Sequence, residues 1–211
     1  MTKLIWDAAA SRVYETGVDR GVLYIASASG VVWNGLTSVV ESVSGGSPSP
    51  SYFDGVKYSN LISSEEYQAT IGAFNYPDEF APCNGLVNAA NGLIFDQQPR
   101  LKFGFSYRTK VGNDVTPDLA YKIHLVYNAI ASPSSPSYST VGSSAEPVDF
   151  SWQITVLPVT YTAQKPIGHA IIDTRKTRPT GLVALENALY GTAVASPYLP
   201  TIAQLVTLLA T

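Results

Sequence analysis

The side chains with which this chain could do chemistry are two histidines, one cysteine and the adjacent acids Glu65–Glu66 and Asp78–Glu79. Paired carboxylates can act as acid and base on a glycan. Neighbours along a strand point to opposite faces, however, so neither pair converges by itself, and solvated loop charges are the simpler reading. Cys83 with His124 would make a nucleophile and its base. No oxyanion-donor pattern accompanies them, and a lone cysteine is by default a small buried residue. His124 and His169 lie far apart with no ligand-spaced Cys or Asp, whereas a zinc site needs three or four converging ligands. His124 falls on the polar face of a strand and reads as a surface or interface histidine. There is no G-x-S-x-G elbow, Walker A loop or G-x-G-x-x-G after a strand. The sequence therefore predicts no catalytic residue, no metal and no cofactor.

The most suggestive charge cluster is basic. Arg100, Lys102, Arg108 and Lys110 share one face of an alternating segment. That face could be a nucleic-acid strip, a contact for acidic residues of a neighbouring subunit, or a solvated strand face. The formal net charge of −3 favours the subunit contact over the nucleic-acid strip.

These residues must be positioned by a β-rich chain. Charged residues make up 14 % of the sequence, against about a quarter in ordinary domains. The 13 tyrosines accompany many Thr, Ser and Val residues, a strand-forming composition. So little charge also implies surface covered by something other than water. A length of 211 residues allows one substantial core, expected as a β domain over 1–175 with a helical extension over 176–211. A single cysteine excludes an internal disulfide. Met1 to Trp6 lacks a basic stretch followed by a long apolar run, so no leader is expected. No apolar window is long enough for a membrane helix, and cytoplasmic synthesis is the expectation.

The clearest strand signal is the period-2 alternation of Leu101, Phe103, Phe105 and Tyr107 against the basic face. Tyr121, Ile123, Leu125 and Tyr127 alternate with Lys122 and His124. Phe150, Trp152, Ile154 and Val156 alternate with Ser151, Gln153 and Thr155, and Tyr67 to Phe74 sets Gln68 and Thr70 on a polar face. Val22–Ile25 and His169–Asp173 read as short strands, and Ala26–Gly30 as a turn. Val31–Val43 is one strand, or two broken at Asn34–Gly35. Ser44–Ser51 reads as a soft loop that forms the tip of a projecting hairpin whose second arm is Tyr52–Ile62. Asn84–Asn91 and Ser132–Ser137 read as loops. Helices are predicted near Leu182, Leu185 and Leu189, with Pro179 in the first turn and Gly191 at the end. A second follows Thr201, where Gln204 completes a capping box. The sum is about seven to nine antiparallel strands in a sandwich or partial barrel, with two small C-terminal helices.

Several blocks resemble the major tail subunits of siphophages that infect actinobacterial hosts. They are Tyr14–Tyr24 (YETGVDRGVLY), Val32–Leu36 (VWNGL), Tyr76–Phe80 (YPDEF), Gln97–Arg100 (QQPR), Tyr107–Asp114 (YRTKVGND), Tyr121–Tyr127 (YKIHLVY), Phe150–Trp152 (FSW) and Leu185–Thr192 (LENALYGT). They occur in matching order from about residue 12 to about residue 200, and the order is more specific than any one block. The resemblance implies a tail tube fold, with two sheets around a core and one small flanking helix, here the Pro77–Pro82 segment. It implies hexameric rings stacked into a hollow tube on a tape measure protein, with tail terminator and distal tail proteins as further partners. Viral DNA would pass through the lumen without sequence-specific binding. The location implied is the virion tail, assembled in the host bacterial cytoplasm, with no membrane partner. In that setting Gln68, Thr70, Ser151, Gln153 and Thr155 would suit the lumen wall. Ser44, Gly45, Gly46, Ser47 and Pro48 would reach the adjacent ring, and Arg100, Lys102, Arg108 and Lys110 would lie at subunit contacts.

Two other classes remain open on sequence alone. One is a carbohydrate-binding β-sandwich of a tail tip or secreted lectin, stacking sugars on Trp33, Tyr52, Tyr58 and Trp152. The other is a small β-fold hydrolase built on Glu65, Glu66, Asp78 or Glu79.

Overall fold

The computed structural model describes residues 3–25, 29–141, 147–162 and 164–210. Most of the expected turn Ala26–Gly30 lies outside the described residues. Among these residues the protein is mainly β, with open sheets, two helices and no closed barrel. Among the described residues there are twelve strands.

The main sheet begins at β1 (Val13–Ile25), with short β2 (Val31–Val32) on one side and β9 (Phe103–Asn113) on the other. β10 (Ala120–Ala131) follows β9, then β11 (Phe150–Val156), β6 (Glu65–Ala73) and β3 (Leu36–Gly45), all antiparallel. β12 (His169–Asp173) also pairs with β10. β10 serves both layers because it changes partner along its length. Lys122–Val126 pair with β12, and Ala129–Ala131 pair with β11. A bulge at Asn128, whose φ is +48°, separates the two stretches, and such bulges bend a strand from one layer toward another.

The bend lets β1, β9, β10 and β12 face β11, β6 and β3. Between the layers lie Leu23, Phe103, Phe105 and Val126 from one side, and Ala69, Ile71, Trp152 and Ile154 from the other. Trp33 and Phe80 fill the middle of an edge-to-face aromatic cluster around Trp152. Phe80 belongs to a single 3-10 turn, Asp78–Phe80, so the expected flanking helix is one turn long.

The outer face of the first layer is also covered. Helix α1 (Pro179–Tyr190) and helix α2 (Ile202–Ala210) bring Leu185, Leu189, Ile202 and Leu205 onto Val22, Tyr24, Ile123, Leu125, Tyr127 and Ile172. The Tyr24 hydroxyl donates to the Leu189 carbonyl and contacts Ser106 Oγ. The backbone N–H of Thr201 donates to Gln204 Oε1, and Gln204 N–H donates back to the Thr201 hydroxyl, as the capping box requires.

Three local readings change. β1 is thirteen residues, not Val22–Ile25 alone, because shifts in register absorb the Gly17–Gly21 stretch without ending the strand. Asn84–Asn91 is not all loop. It includes β7 (Val87–Ala90), which forms a hairpin with β8 (Leu93–Phe95). Ser44–Ser51 is not a flexible tip: Ser44 and Gly45 end β3, Pro48–Phe53 form β4, and only Gly46 and Ser47 lie between them. β4 pairs with β5 (Val56–Ile62), and the tip is Asp54–Gly55, with φ +47° and +76°, a pair suited to a tight hairpin turn. Gly45 sits where the chain leaves the sheet. Its φ is +84°, and a Cβ there would lie 2.3 Å from the Ser64 carbonyl oxygen, so only glycine fits without a shift.

Candidate functional site

Strand pairing assembles the predicted wall residues into one surface. Ser151 pairs with Gly72, Gln153 with Thr70 and Thr155 with Gln68. On the other side of β6, Ser38, Val40 and Ser42 pair with Gly72, Thr70 and Gln68. Because paired residues share a face, these nine positions form a continuous three-strand strip. Its other face carries Val39, Ala69, Ile71, Ala73, Trp152 and Ile154 in the core. The strip bears hydroxyls, amides and one valine, and no charge. Gln68 Nε2 donates to Ser44 Oγ at 3.1 Å, and Gln153 Nε2 reaches Gln68 Oε1 at 3.5 Å. Glu66, paired with Ser44, puts an acid beyond one end.

The second surface is the β4–β5 hairpin. Its strands pack on each other and make no other substantial element contact among the described residues. Tyr52, Phe53, Val56, Tyr58, Leu61 and Ile62 stand in solvent; Tyr58 is 81 % exposed and Phe53 69 %. An apolar projection of this size marks an interaction surface.

The four basic residues do not form a free patch. β9 is buried on both faces over much of its length. The Arg108 guanidinium donates to both Asp19 carboxylate oxygens, at 2.7 and 2.8 Å, and lies 4.5 Å over the Tyr121 ring. That pairing holds the Asp19 carboxyl below its ordinary value and the Arg108 guanidinium above its own. Arg100 donates to Asn84 Oδ1 and to the carbonyls of Ala131 and Ser132. Lys110 reaches Asp118 at 3.4 Å on the surface, and Lys102 is exposed. Arg100 and Lys102 precede the strand rather than lie in it.

One constellation was not legible from spacing. His124 is buried, not on the surface, and His169 reaches it through the pairing of β10 with β12. His124 pairs with Ile171, so His169, two residues earlier, is its diagonal neighbour on the same face. Glu41 on β3 reaches the same place from the opposite layer. His124 Nδ1 is 3.2 Å from His169 Nε2 and 3.2 Å from Glu41 Oε1, and His169 Nε2 is 3.7 Å from Glu41 Oε1. The Tyr107 hydroxyl donates to Glu41. Hydrogen bonds, that from His124 first, draw the Glu41 carboxyl down to about 2 against its burial. Burial pushes His169 down to about 4, so it is neutral at physiological pH.

The remaining candidates divide. Cys83 is buried, and burial pushes its thiol up to about 11, which leaves no thiolate for nucleophilic chemistry. Trp33 and Trp152 belong to the core, so the four-aromatic sugar platform is reduced to Tyr52 and Tyr58 on the hairpin. Glu65 and Glu66 open β6, whereas Asp78 and Glu79 sit in the 3-10 turn.

The chain matches no protein-family model and no curated protein. Among solved structures it is similar to the SPP1 tail tube determined by solid-state NMR and cryo-EM. The identity is 13 %, with 87 % of this chain and 96 % of that chain covered and a TM-score of 0.42. It is similar to the extended-state sheath-tube complex of an extracellular contractile injection system (PVC), at 15 % identity, 74 % and 89 % coverage and TM-score 0.37. It is also similar to the cap terminating the tube of the anti-feeding prophage, at 12 % identity, 82 % and 97 % coverage and TM-score 0.35. Identity and superposition are low in each case.

Proposed function

We propose that this protein is the major tail tube subunit of a siphophage, a non-catalytic virion component that assembles with copies of itself. Subunits form hexameric rings, and rings stack into a tube around a tape measure protein, bounded by tail terminator and distal tail proteins. Viral DNA passes through the lumen during ejection.

The observation that carries the reading is the β4–β5 hairpin. Six large apolar side chains project on a two-stranded ribbon that makes no substantial contact with another element among the described residues, and an isolated hairpin is marginal in water. A neighbouring copy supplies the missing cover. The edges of β3 and β12 that pair with no strand among the described residues are further places where a neighbour can extend the sheet.

In this reading the strip of Ser38, Val40, Ser42, Gln68, Thr70, Gly72, Ser151, Gln153 and Thr155 faces the lumen. DNA held by many phosphate contacts does not slide, and this surface offers no cation to a phosphate. Lys102 and Lys110 remain available at the subunit boundary, while Arg100 and Arg108 act there through the segments they hold in place. Gly45, Gly46 and Ser47 aim the hairpin at the adjacent ring rather than make the contact themselves, with Ser44 and Pro48 as its strand-bound flanks.

Sedimentation velocity over a concentration series, with negative-stain microscopy of the fastest fraction, tests the proposal. Rings or hollow tubes are the expected result. A monomer at every concentration, retained on a glycan column through Tyr52 and Tyr58, would replace it with the sugar-binding reading.

A further inference from the structure

We propose that Glu41, His124 and His169 form a binding site for a divalent transition-metal ion of the Zn²⁺ class, tying edge strand β3 to β10 and β12. This inference does not rest on the tube reading, since all three ligands come from one chain.

The geometry is the first support. Four-coordinate zinc with bonds of about 2.0–2.1 Å holds its ligand atoms about 3.3–3.4 Å apart. His124 Nδ1, His169 Nε2 and Glu41 Oε1 make a triangle with sides of 3.2, 3.2 and 3.7 Å. Two imidazoles and a carboxylate are a donor set that takes Zn²⁺, Co²⁺ or Ni²⁺ in preference to Ca²⁺ or Mg²⁺. Three protein ligands leave one position for water. The Glu41 side chain, 36 % exposed, gives the ion a way in, while the two histidines are nearly enclosed.

The hydrogen-bond inventory is the second support. The Thr109 hydroxyl donates to Glu15, so its oxygen can only accept from His124 Nε2, 3.1 Å away. A His124 ring that carries a single proton therefore holds it on Nε2, with the Nδ1 lone pair turned inward. Nδ1 then faces the Glu41 oxygen, which already accepts from the Tyr107 hydroxyl. With one proton on the ring, the 3.2 Å contact from Nδ1 to Glu41 sets one acceptor against another, whether or not His169 Nε2 donates to Nδ1; a second proton would instead make it the hydrogen bond that lowers Glu41. A cation at the centre of the triangle resolves it.

The surroundings are the third. Histidine ligands ordinarily hold their orientation by donating the other ring nitrogen to a polar group. The Thr109–Glu15 pair does this for His124, and Lys122 in turn pairs with Glu15. Tyr107 fixes the carboxylate, and its ring stacks 4.5 Å from that of His124. The Tyr67 ring covers His169 at 4.4 Å. Tyr67 Oη, beside the Tyr107 hydroxyl, is buried without a hydrogen bond of acceptable geometry, an orphan that a metal-bound water can satisfy. Among the described residues no Lys or Arg pairs with Glu41, so its charge has no fixed cationic partner.

The competing occupant is a proton, with a charged His124 bridging Glu41 and His169. Titrating chelator-treated protein with Co²⁺ separates the two. The metal site predicts visible d–d bands of four-coordinate intensity that saturate at one equivalent and are displaced by Zn²⁺. Zn²⁺ is also expected to raise the thermal midpoint of the unaltered protein, a readout that needs no variant. E41Q and H169Q, checked for folding by circular dichroism, should each weaken Co²⁺ binding at least about tenfold. Absence of the bands, or equal binding by the unaltered protein and both variants, overturns the proposal in favour of the proton bridge or of adventitious surface binding.

Discussion

Replacing Phe53 and Tyr58 together with serine separates assembly from folding. The two rings pack against each other at 6.4 Å, and they are 69 % and 81 % exposed. Full burial of a large apolar side chain is worth about 1.5–3 kcal/mol. With 69 % and 81 % of them still in water, covering them with a neighbour adds about 1–2 kcal/mol apiece. The pair then contributes about 2–4 kcal/mol per hairpin contact, or about thirty- to seven-hundredfold in association at 1.4 kcal/mol per decade. The fold of the subunit should hardly notice, because surface changes away from packed features stay within about 0.5 kcal/mol. Urea titration of dilute protein should give an unchanged midpoint and slope. Sedimentation should show the assembly threshold rising by that factor. Assembly at the original threshold would refute the reasoning, and so would a urea midpoint that falls by an amount equivalent to the 2–4 kcal/mol.

Other expectations concern the subunit itself. Asp19 is depressed below its ordinary value of 3.8 by Arg108, so the pair stabilises the fold above that value and loses its effect as pH falls through the lowered native one. D19N should cost about 1–3 kcal/mol at neutral pH, by removing the charge and one of the two oxygens that accept from Arg108, and should flatten the acid limb of the stability–pH curve. Trp152 is fully buried and its Nε1 donates to Asn84 Oδ1 at 3.2 Å; W152A should cost about 3–5 kcal/mol in urea denaturation. A Cβ on Gly181 would stand 2.8 Å from the Leu208 carbonyl oxygen. G181A should therefore push α1 from α2 and cost about 1–3 kcal/mol, read as a lower thermal midpoint.

The polar strip was legible because alternation alone puts Gln68 with Thr70, and Ser151 with Gln153 and Thr155, on single faces. The pairing of β6 with β11 then had only to bring two such faces side by side. The surroundings of the basic face were only partly legible, for a complementary reason. Alternation marks a face as polar but does not say what engages it: Asp19 and Tyr121 hold Arg108, Asn84 and two backbone carbonyls hold Arg100, and Lys102 and Lys110 stay exposed. Pro48 and Pro50 made Ser44–Ser51 look like loop, yet proline is tolerated in a strand whose outer edge has no partner, as in β4. The true tip, Asp54–Gly55, carried the stronger turn signal, as Asn91–Gly92 did for β7 and β8. Glu41, His124 and His169 come from strands remote in sequence, and nothing in their spacing foretells a diagonal contact across one pair and a third ligand from the facing layer.

The proposal stands on sheet edges and an apolar arm left uncovered among the described residues, for which another copy is the proposed cover. A cryo-EM reconstruction of the concentrated protein tests this most directly. It should show a hollow assembly with Thr70, Gln153 and Thr155 on its inner surface and Tyr52–Ile62 buried against an adjacent subunit. A reconstruction with the β4–β5 hairpin free in solvent, or with that three-strand face turned outward, would contradict it.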